Sequence, residues 1–216
     1  MAFLDRRDRD IRNLPGTGLT AILAIVFLYA PIGFLALYSF NSGRSISRID
    51  GFSLHWYREV FADAGIQRAA MNSLTVALIA ASVATVLAIA AAVATVRLKF
   101  RGKEGAYALI NFPLMVPEIV TAIATLIFFG TIGFRLGLAT VVVAHIVFCI
   151  PFAYLPIRAR LTSMDDGLEL AARDLYASPA KAFRRITLPI LMPGVVSGWL
   201  LAFIISLDDF IISAMV

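Results

Sequence analysis

Long apolar runs limit this chain more than any other feature. A helix needs roughly 20 apolar residues to cross about 30 Å of hydrocarbon. Five segments meet that length: near Leu19–Phe40, within the charge-free run Ala69–Val96, near Tyr107–Phe134, over Leu136–Ile157, and from about Leu191 onward. The third contains Pro113, Pro117 and Glu118. The fourth contains His145 and Pro151, and the fifth carries Asp208 and Asp209. Composition agrees: 60% of the 216 residues are hydrophobic and 15% charged, with mean hydropathy +0.87. A soluble domain sits nearer about 45–50% apolar with about a quarter charged. The expected class is an all-α polytopic membrane protein. The first apolar run follows a basic N-terminus, as in a signal peptide, but the uncharged stretch Asn13–Gly43 is too long and no A-x-A-like site closes it. It reads as a retained anchor.

Loop charges set the orientation. With the N-terminus inside, the inner segments hold Arg6, Arg7, Arg9 and Arg12, then Arg97, Lys99, Arg101 and Lys103, then Arg158, Arg160, Arg173, Lys181, Arg184 and Arg185. These are 14 of the 19 Lys and Arg residues. Arg44, Arg48, Arg58, Arg68 and Arg135 fall outside. The net charge of +5 is thus a topology signal and argues against nucleic acid as a partner. The outer segment Asn41–Arg68, with Trp56 and Tyr57, is expected at the membrane interface. The single cysteine, Cys149, forms no internal disulfide and reads as a small core residue. Five spans with no closing basic loop after Asp209 lead to the expectation that a sixth span is missing.

The segment Leu168–Pro189, LELAARDLYASPAKAFRRITLP, is a charged island between apolar runs. Leu168, Ala171, Ala172 and Leu175 share one face of a helix expected over Asp165–Tyr176. Ser178 caps a second helix with Pro179 at its first position, where no N–H is needed. Ala182, Phe183, Ile186 and Leu188 form its apolar side, and Leu188-Pro189 is expected to end it. Two readings are open. One is an amphipathic hairpin lying in the lipid interface; the other is a knob fitted to a groove on a soluble partner.

This island resembles the cytoplasmic signature of permease subunits of binding-protein-dependent ABC importers. That signature is E-A-A, a Gly four residues after the second Ala, nine residues, then I-x-L-P. Ala171-Ala172, Ile186, Leu188 and Pro189 match, with the nine-residue gap kept from Ala177 to Arg185. Leu170 stands where the family has Glu, although Glu169 is adjacent, and Tyr176 stands where it has Gly. Gly permits a left-handed turn; Tyr must turn at φ < 0 or accept strain. Further segments are similar to the spermidine/putrescine branch, in its second permease subunit type. They are Phe100-Arg101-Gly102-Lys103, Met115-Val116-Pro117-Glu118-Ile119-Val120, His145–Phe152, Gly198-Trp199-Leu200-Leu201-Ala202-Phe203, and Ser206-Leu207-Asp208-Asp209-Phe210.

The resemblance implies a type I ABC importer permease-like bundle in the bacterial inner membrane. It implies one permease domain over 1–216 with a cytoplasmic coupling loop at 158–190. Its partners would be a homologous second permease, two copies of a cytoplasmic ATPase, a periplasmic substrate-binding protein and the lipid bilayer. The ATPase would dock on Glu169, Leu170, Ala171, Ala172, Asp174, Leu175, Tyr176, Ala177, Ser178, Phe183, Ile186, Leu188 and Pro189. The chain contains no G-x-x-x-x-G-K-[ST] loop. Gly130, Gly133 and Gly137 are followed by no Lys-Ser/Thr. The chain is therefore not expected to be an enzyme or to bind a cofactor; ATP and Mg would sit on the partner.

An ionised side chain at the bilayer centre costs about 2.5–3.5 kcal/mol on insertion scales. Glu118, Asp208 and Asp209 are therefore candidate cation contacts on a substrate path, with Trp199, Phe203 and Phe210 offering aromatic faces. The competing roles are subunit pairing for Glu118 and a place in the outer headgroup layer for the aspartates. Asp209 lies 16 residues beyond Pro193, roughly 24 Å along a helix. The two aspartates, if both helical, point about 100° apart and cannot face one path equally. His145 reads as a helix–helix hydrogen-bonder. No H-E-x-x-H occurs, and the aspartates share one segment, so an intramembrane protease is disfavoured. A stand-alone secondary transporter would lack the knob. The resemblance makes polyamine the expected cargo; an opine, a phosphonate or a ferric ion is the alternative.

Overall fold

The computed structural model describes residues 17–216 except Ile46 and Asp166; the side chain of Arg173 is also left out. The arginines at 6–12 lie outside the described residues. The chain divides into two compact units, residues 1–67 and 68–216.

In the first unit, α1 (Thr17–Tyr38) and α2 (His55–Ala62) flank a structured loop. Asn41 organises it. Its Nδ2 donates to Arg48 O at 2.7 Å, its Oδ1 accepts from Asp50 N at 2.8 Å, and its carbonyl accepts from Trp56 Nε1 at 2.9 Å. Tyr57 Oη lies 2.7 Å from Ser39 Oγ. Trp56 and Tyr57, expected at the interface, thus each carry an apolar ring and a satisfied polar end. An isolated bridge joins Asn41 to Phe52; no strand occurs among the described residues.

The second unit holds most of α3 (Ala64–Arg97), then α4 (Lys103–Asn111), α5 (Glu118–Thr131), α6 (Leu138–Thr162), α7 (Gly167–Asp174), α8 (Pro179–Ala182), α9 (Leu188–Asp208) and α10 (Ile211–Met215). Among the described residues, four helices are long and apolar enough to cross a membrane: α1, α3, α6 and the continuous stretch Pro179–Asp208. The expected third span is broken. Lys103–Leu114 and Glu118–Thr131 meet at a bend of 104°. Pro113 and Pro117 bracket the break, and each removes a helix N–H and crowds the carbonyl four residues back. Pro117 takes ψ 135, leaving the helical region just before α5. The pair still advances along α6. Tyr107 on α4 lies under the Arg158 guanidinium, 4.7 Å from the ring centre, whereas Phe129 on α5 shares a cleft with Val143 and Ala144.

The core is the α6–α9 pair. On α9, Leu191, Gly194, Gly198, Ala202 and Ser206 are buried. Small residues at four-residue spacing let two backbones approach closely. A Cβ added at Gly198 would meet Ala153 O at 2.6 Å, and one at Gly194 would meet Arg160 Cβ at 2.6 Å. Cys149 is buried in this seam, its Sγ 3.5 Å from Ala202 O. The alanines of α3 complete the core, and Thr95 Oγ1 lies 2.8 Å from Tyr154 Oη.

Leu188-Pro189 does not end a helix, contrary to the sequence expectation. Phe183–Thr187 forms a π turn that runs directly into α9. Pro189 sits at the second position of α9, and the wider turn before it accommodates both the missing N–H and the ring.

Candidate functional site

Two regions hold the residues singled out from sequence. The first is the polar hairpin. Asp165 caps α7 through Gly167 N at 2.8 Å. Ser178 caps α8, accepting from Lys181 N at 3.4 Å, with Pro179 first in the helix as expected. The turn between them uses Tyr176 at φ 59, the one non-glycine with positive φ among the described residues. Ala177 N donates to Ala172 O at 3.1 Å across it, the six-to-one bond of a left-handed helix C-cap. Of the two turns open to Tyr176, the strained one is adopted. Its side chain is 99% exposed, and the adjacent Leu175 is 83% exposed.

The predicted apolar face of α7 is not buried as a unit. Ala172 alone is buried, against the root of the hairpin; Leu168, Leu170, Ala171 and Leu175 face outward. Glu169 turns inward, where Oε2 accepts from Thr187 Oγ1 at 3.4 Å and lies 3.9 Å from an Arg97 guanidinium nitrogen. Asp174, Ser178 and Pro189 are exposed, while Ala177, Phe183, Ile186 and Leu188 are half-buried.

The second region lies where two helices break. α9 stops at Asp208, and Asp209 is extended, with φ −67 and ψ 122. The sequence expectation of both aspartates on one continuous helix is therefore corrected. The reason is on α6: His145 Nε2 lies 3.0 Å from Asp209 Oδ2, with both side chains 1% exposed. His145 Nδ1 lies 2.7 Å from Ser206 Oγ, and Nε2 is also 3.1 Å from Ser213 Oγ. Asp209 further accepts from Ile212 N at 3.3 Å and Ser213 N at 3.1 Å, capping α10. His145 thus bonds across helices as expected, and its partner includes one of the acids.

Glu118, the first residue of α5, joins this cluster. Its carboxyl lies near the Asp209 carboxyl and the Ile211 backbone. Asp208 is exposed beside the break. Trp199 and Phe203 stack one turn apart on α9, with centroids 5.3 Å apart and an 8° interplanar angle. Trp199 Nε1 donates to Ser82 Oγ at 3.1 Å, tying α9 to α3. Phe210 is 78% exposed at the break. Asp209 lies ten residues beyond Trp199, roughly 15 Å of helix rise. The structure therefore gathers Glu118, Asp208 and Asp209 but sets Trp199 and Phe203 at another depth. Ser206 and Ser213 were missed from sequence. Ser206 lies four residues beyond Ala202 on the same small-residue stripe as Gly198, which was the available signal. No cluster of three or more potential metal ligands occurs among the described residues.

Residues 84–216 match the family of binding-protein-dependent transport system inner membrane components. The chain belongs to that family. Relatives agree across most of its length. The putrescine transport system permease protein of Escherichia coli is 40% identical over 202 residues, covering 90% of this chain and 72% of its own. The spermidine/putrescine permease of Haemophilus influenzae is 40% identical over 190 residues, covering 88% and 74%. That of Escherichia coli is 39% identical over 205 residues, covering 95% and 77%. The match includes both the hairpin and the helix-break cluster, so these features belong to an inner-membrane permease.

Proposed function

We propose that the chain is the membrane-spanning subunit of an ATP-driven polyamine importer, with its N-terminus in the cytoplasm. Residues 1–216 act as one permease domain and 158–190 as its coupling loop. A second permease subunit, two ATPase copies and an external binding protein complete the machine; ATP and Mg are held by the ATPase. The named cargo of the relatives supports the polyamine reading. The observation that carries it is the meeting of Glu118 and Asp209 at two helix breaks, with Asp208 alongside. Acids placed at breaks inside a membrane protein favour a cation. Asp209 is committed to His145 and to the α10 backbone. Glu118 and Asp208 are therefore the contacts for the cargo, and Asp209 holds them in place. The stacked Trp199–Phe203 pair offers an aromatic face further along α9.

The hairpin is the ATPase contact. Leu175 and Tyr176 project as an exposed apolar tip, while Glu169 and Ala172 hold its root. The test is labelled putrescine and spermidine uptake by the assembled importer. Uptake should saturate and compete with other polyamines, and Glu118→Gln with Asp208→Asn should cut it while assembly persists. Full uptake by that double variant rejects the cation path. Leu175→Arg should separate the ATPase from the permease; unchanged co-purification rejects the docking tip.

A further inference from the structure

A cleft of about 660 Å³ opens where α3 and α6 end, on the side of the molecule that carries the hairpin. Its walls combine two kinds of chemistry. Leu98 just beyond α3, Met164 just beyond α6 and Leu170 of α7 are apolar. Arg97, Lys99 and Lys103 bring positive charge; Glu169, the one acid among the described lining residues, faces Arg97. Among the described residues neither Lys99 nor Lys103 has an ion-pair partner. The acid does not neutralise the site.

The depth of the cleft decides what such a mixture suits. α3 and α6 are membrane-crossing helices, and both terminate here, so the cleft lies at the level of the lipid headgroups. A free phosphate needs cations but no apolar wall. A phospholipid needs both, because its phosphate is joined to acyl chains. Basic pockets between helices at the cytoplasmic end of spans suit anionic headgroups. We propose that this cleft binds the phosphate of an anionic phospholipid, with Lys99 and Lys103 on the headgroup and Leu98 and Met164 along the start of an acyl chain. Glu169 and Leu170 belong to both the cleft and the hairpin, so the bound lipid braces the root of α7.

The test is native mass spectrometry of the importer purified with its accompanying subunits, in mixed phosphatidylglycerol and phosphatidylcholine. The parent should retain phosphatidylglycerol selectively. Lys99→Gln with Lys103→Gln should lower that retention on the order of tenfold. Arg101→Gln provides the comparison, because Arg101 is exposed in the same loop but does not line the cleft. It should retain lipid like the parent. Equal loss in Arg101→Gln would mean general surface charge and would overturn the site. Displacement of the lipid by millimolar inorganic phosphate would assign the cleft to a free anion and also overturn it. So would loss of the ATPase from the lysine double variant with lipid retention unchanged. A thermal melt of each variant confirms that the fold is retained.

Discussion

The Nε2 atom of His145, in the first third of α6, lies 3.0 Å from Oδ2 of Asp209, the residue just past the end of α9. This contact explains the helix end, because nothing in the local sequence ISLDDFIIS demands one. Bringing Asp209 to His145 draws its backbone to ψ 122, and the carboxylate then serves the free N–H groups of α10. One side chain thus satisfies a buried histidine and a helix start.

His145→Ala is expected to destabilise the protein by about 1–3 kcal/mol, since it leaves Ser206 buried without a partner and takes the histidine contact from the buried Asp209 carboxylate. The melting midpoint in detergent should fall by about 2–4 °C for each kcal/mol. Uptake should fall further than folding alone accounts for, because Asp209 holds Glu118 in place. An unchanged midpoint would show that the contact is dispensable.

The α6–α9 seam makes a steric prediction. Gly198 has no room for a side chain, since an added Cβ would meet the Ala153 carbonyl oxygen at 2.6 Å, and that atom is backbone. Gly198→Val should cost about 1–3 kcal/mol or more through overpacking. Gly105 in α4 has nothing within 4 Å of an added Cβ, so Gly105→Ala should gain up to about 1 kcal/mol from helix propensity. Thermal unfolding of the two variants, moving in opposite directions, checks the pair.

Tyr176 holds a left-handed conformation at φ 59 with its ring almost wholly exposed. Left-handed backbone costs a non-glycine residue roughly 1–2 kcal/mol, partly offset in the comparison by the chain entropy of glycine. Tyr176→Gly should therefore raise the stability of the permease by about 0.5–1 kcal/mol. A ring kept at that cost has a role outside the chain, so the same variant should weaken ATPase coupling, read as substrate-stimulated ATP hydrolysis. Gain of stability with coupling intact would leave the ring without that role.

These residues also mark what was legible in the sequence. Span positions were, because a charge-free run such as Ala69–Val96 has one stable arrangement in lipid. The break at Pro113 and Pro117 was half legible: the prolines marked a weakness beside Glu118, but the 104° size of the bend was not readable from them. The helix end expected at Leu188-Pro189 failed because a π turn absorbs the proline. The unwinding at Asp209 was invisible from its neighbours, since its cause lies on another helix at His145. The small residues Gly194, Gly198 and Ala202 stand at four-residue spacing in the sequence, but the close packing they permit was not read from it.

Adjacent acids with different surroundings should respond differently to the same substitution. Asp208 is exposed at the end of α9. Asp208→Asn should leave the melting midpoint within the range of neutral surface changes, about 0.5 kcal/mol, and should raise the polyamine concentration needed for half-maximal uptake. Asp209→Asn loses a carboxylate oxygen from a site that binds His145, Ser213 and two backbone N–H groups. Charge-assisted hydrogen bonds contribute about 1.5–3 kcal/mol each, so this variant should unfold earlier and lose maximal rate along with affinity. Measuring stability and uptake kinetics on both variants separates a cargo contact from an anchor. Equal destabilisation by the two would mean that Asp208 is structural and that Glu118 alone meets the cation.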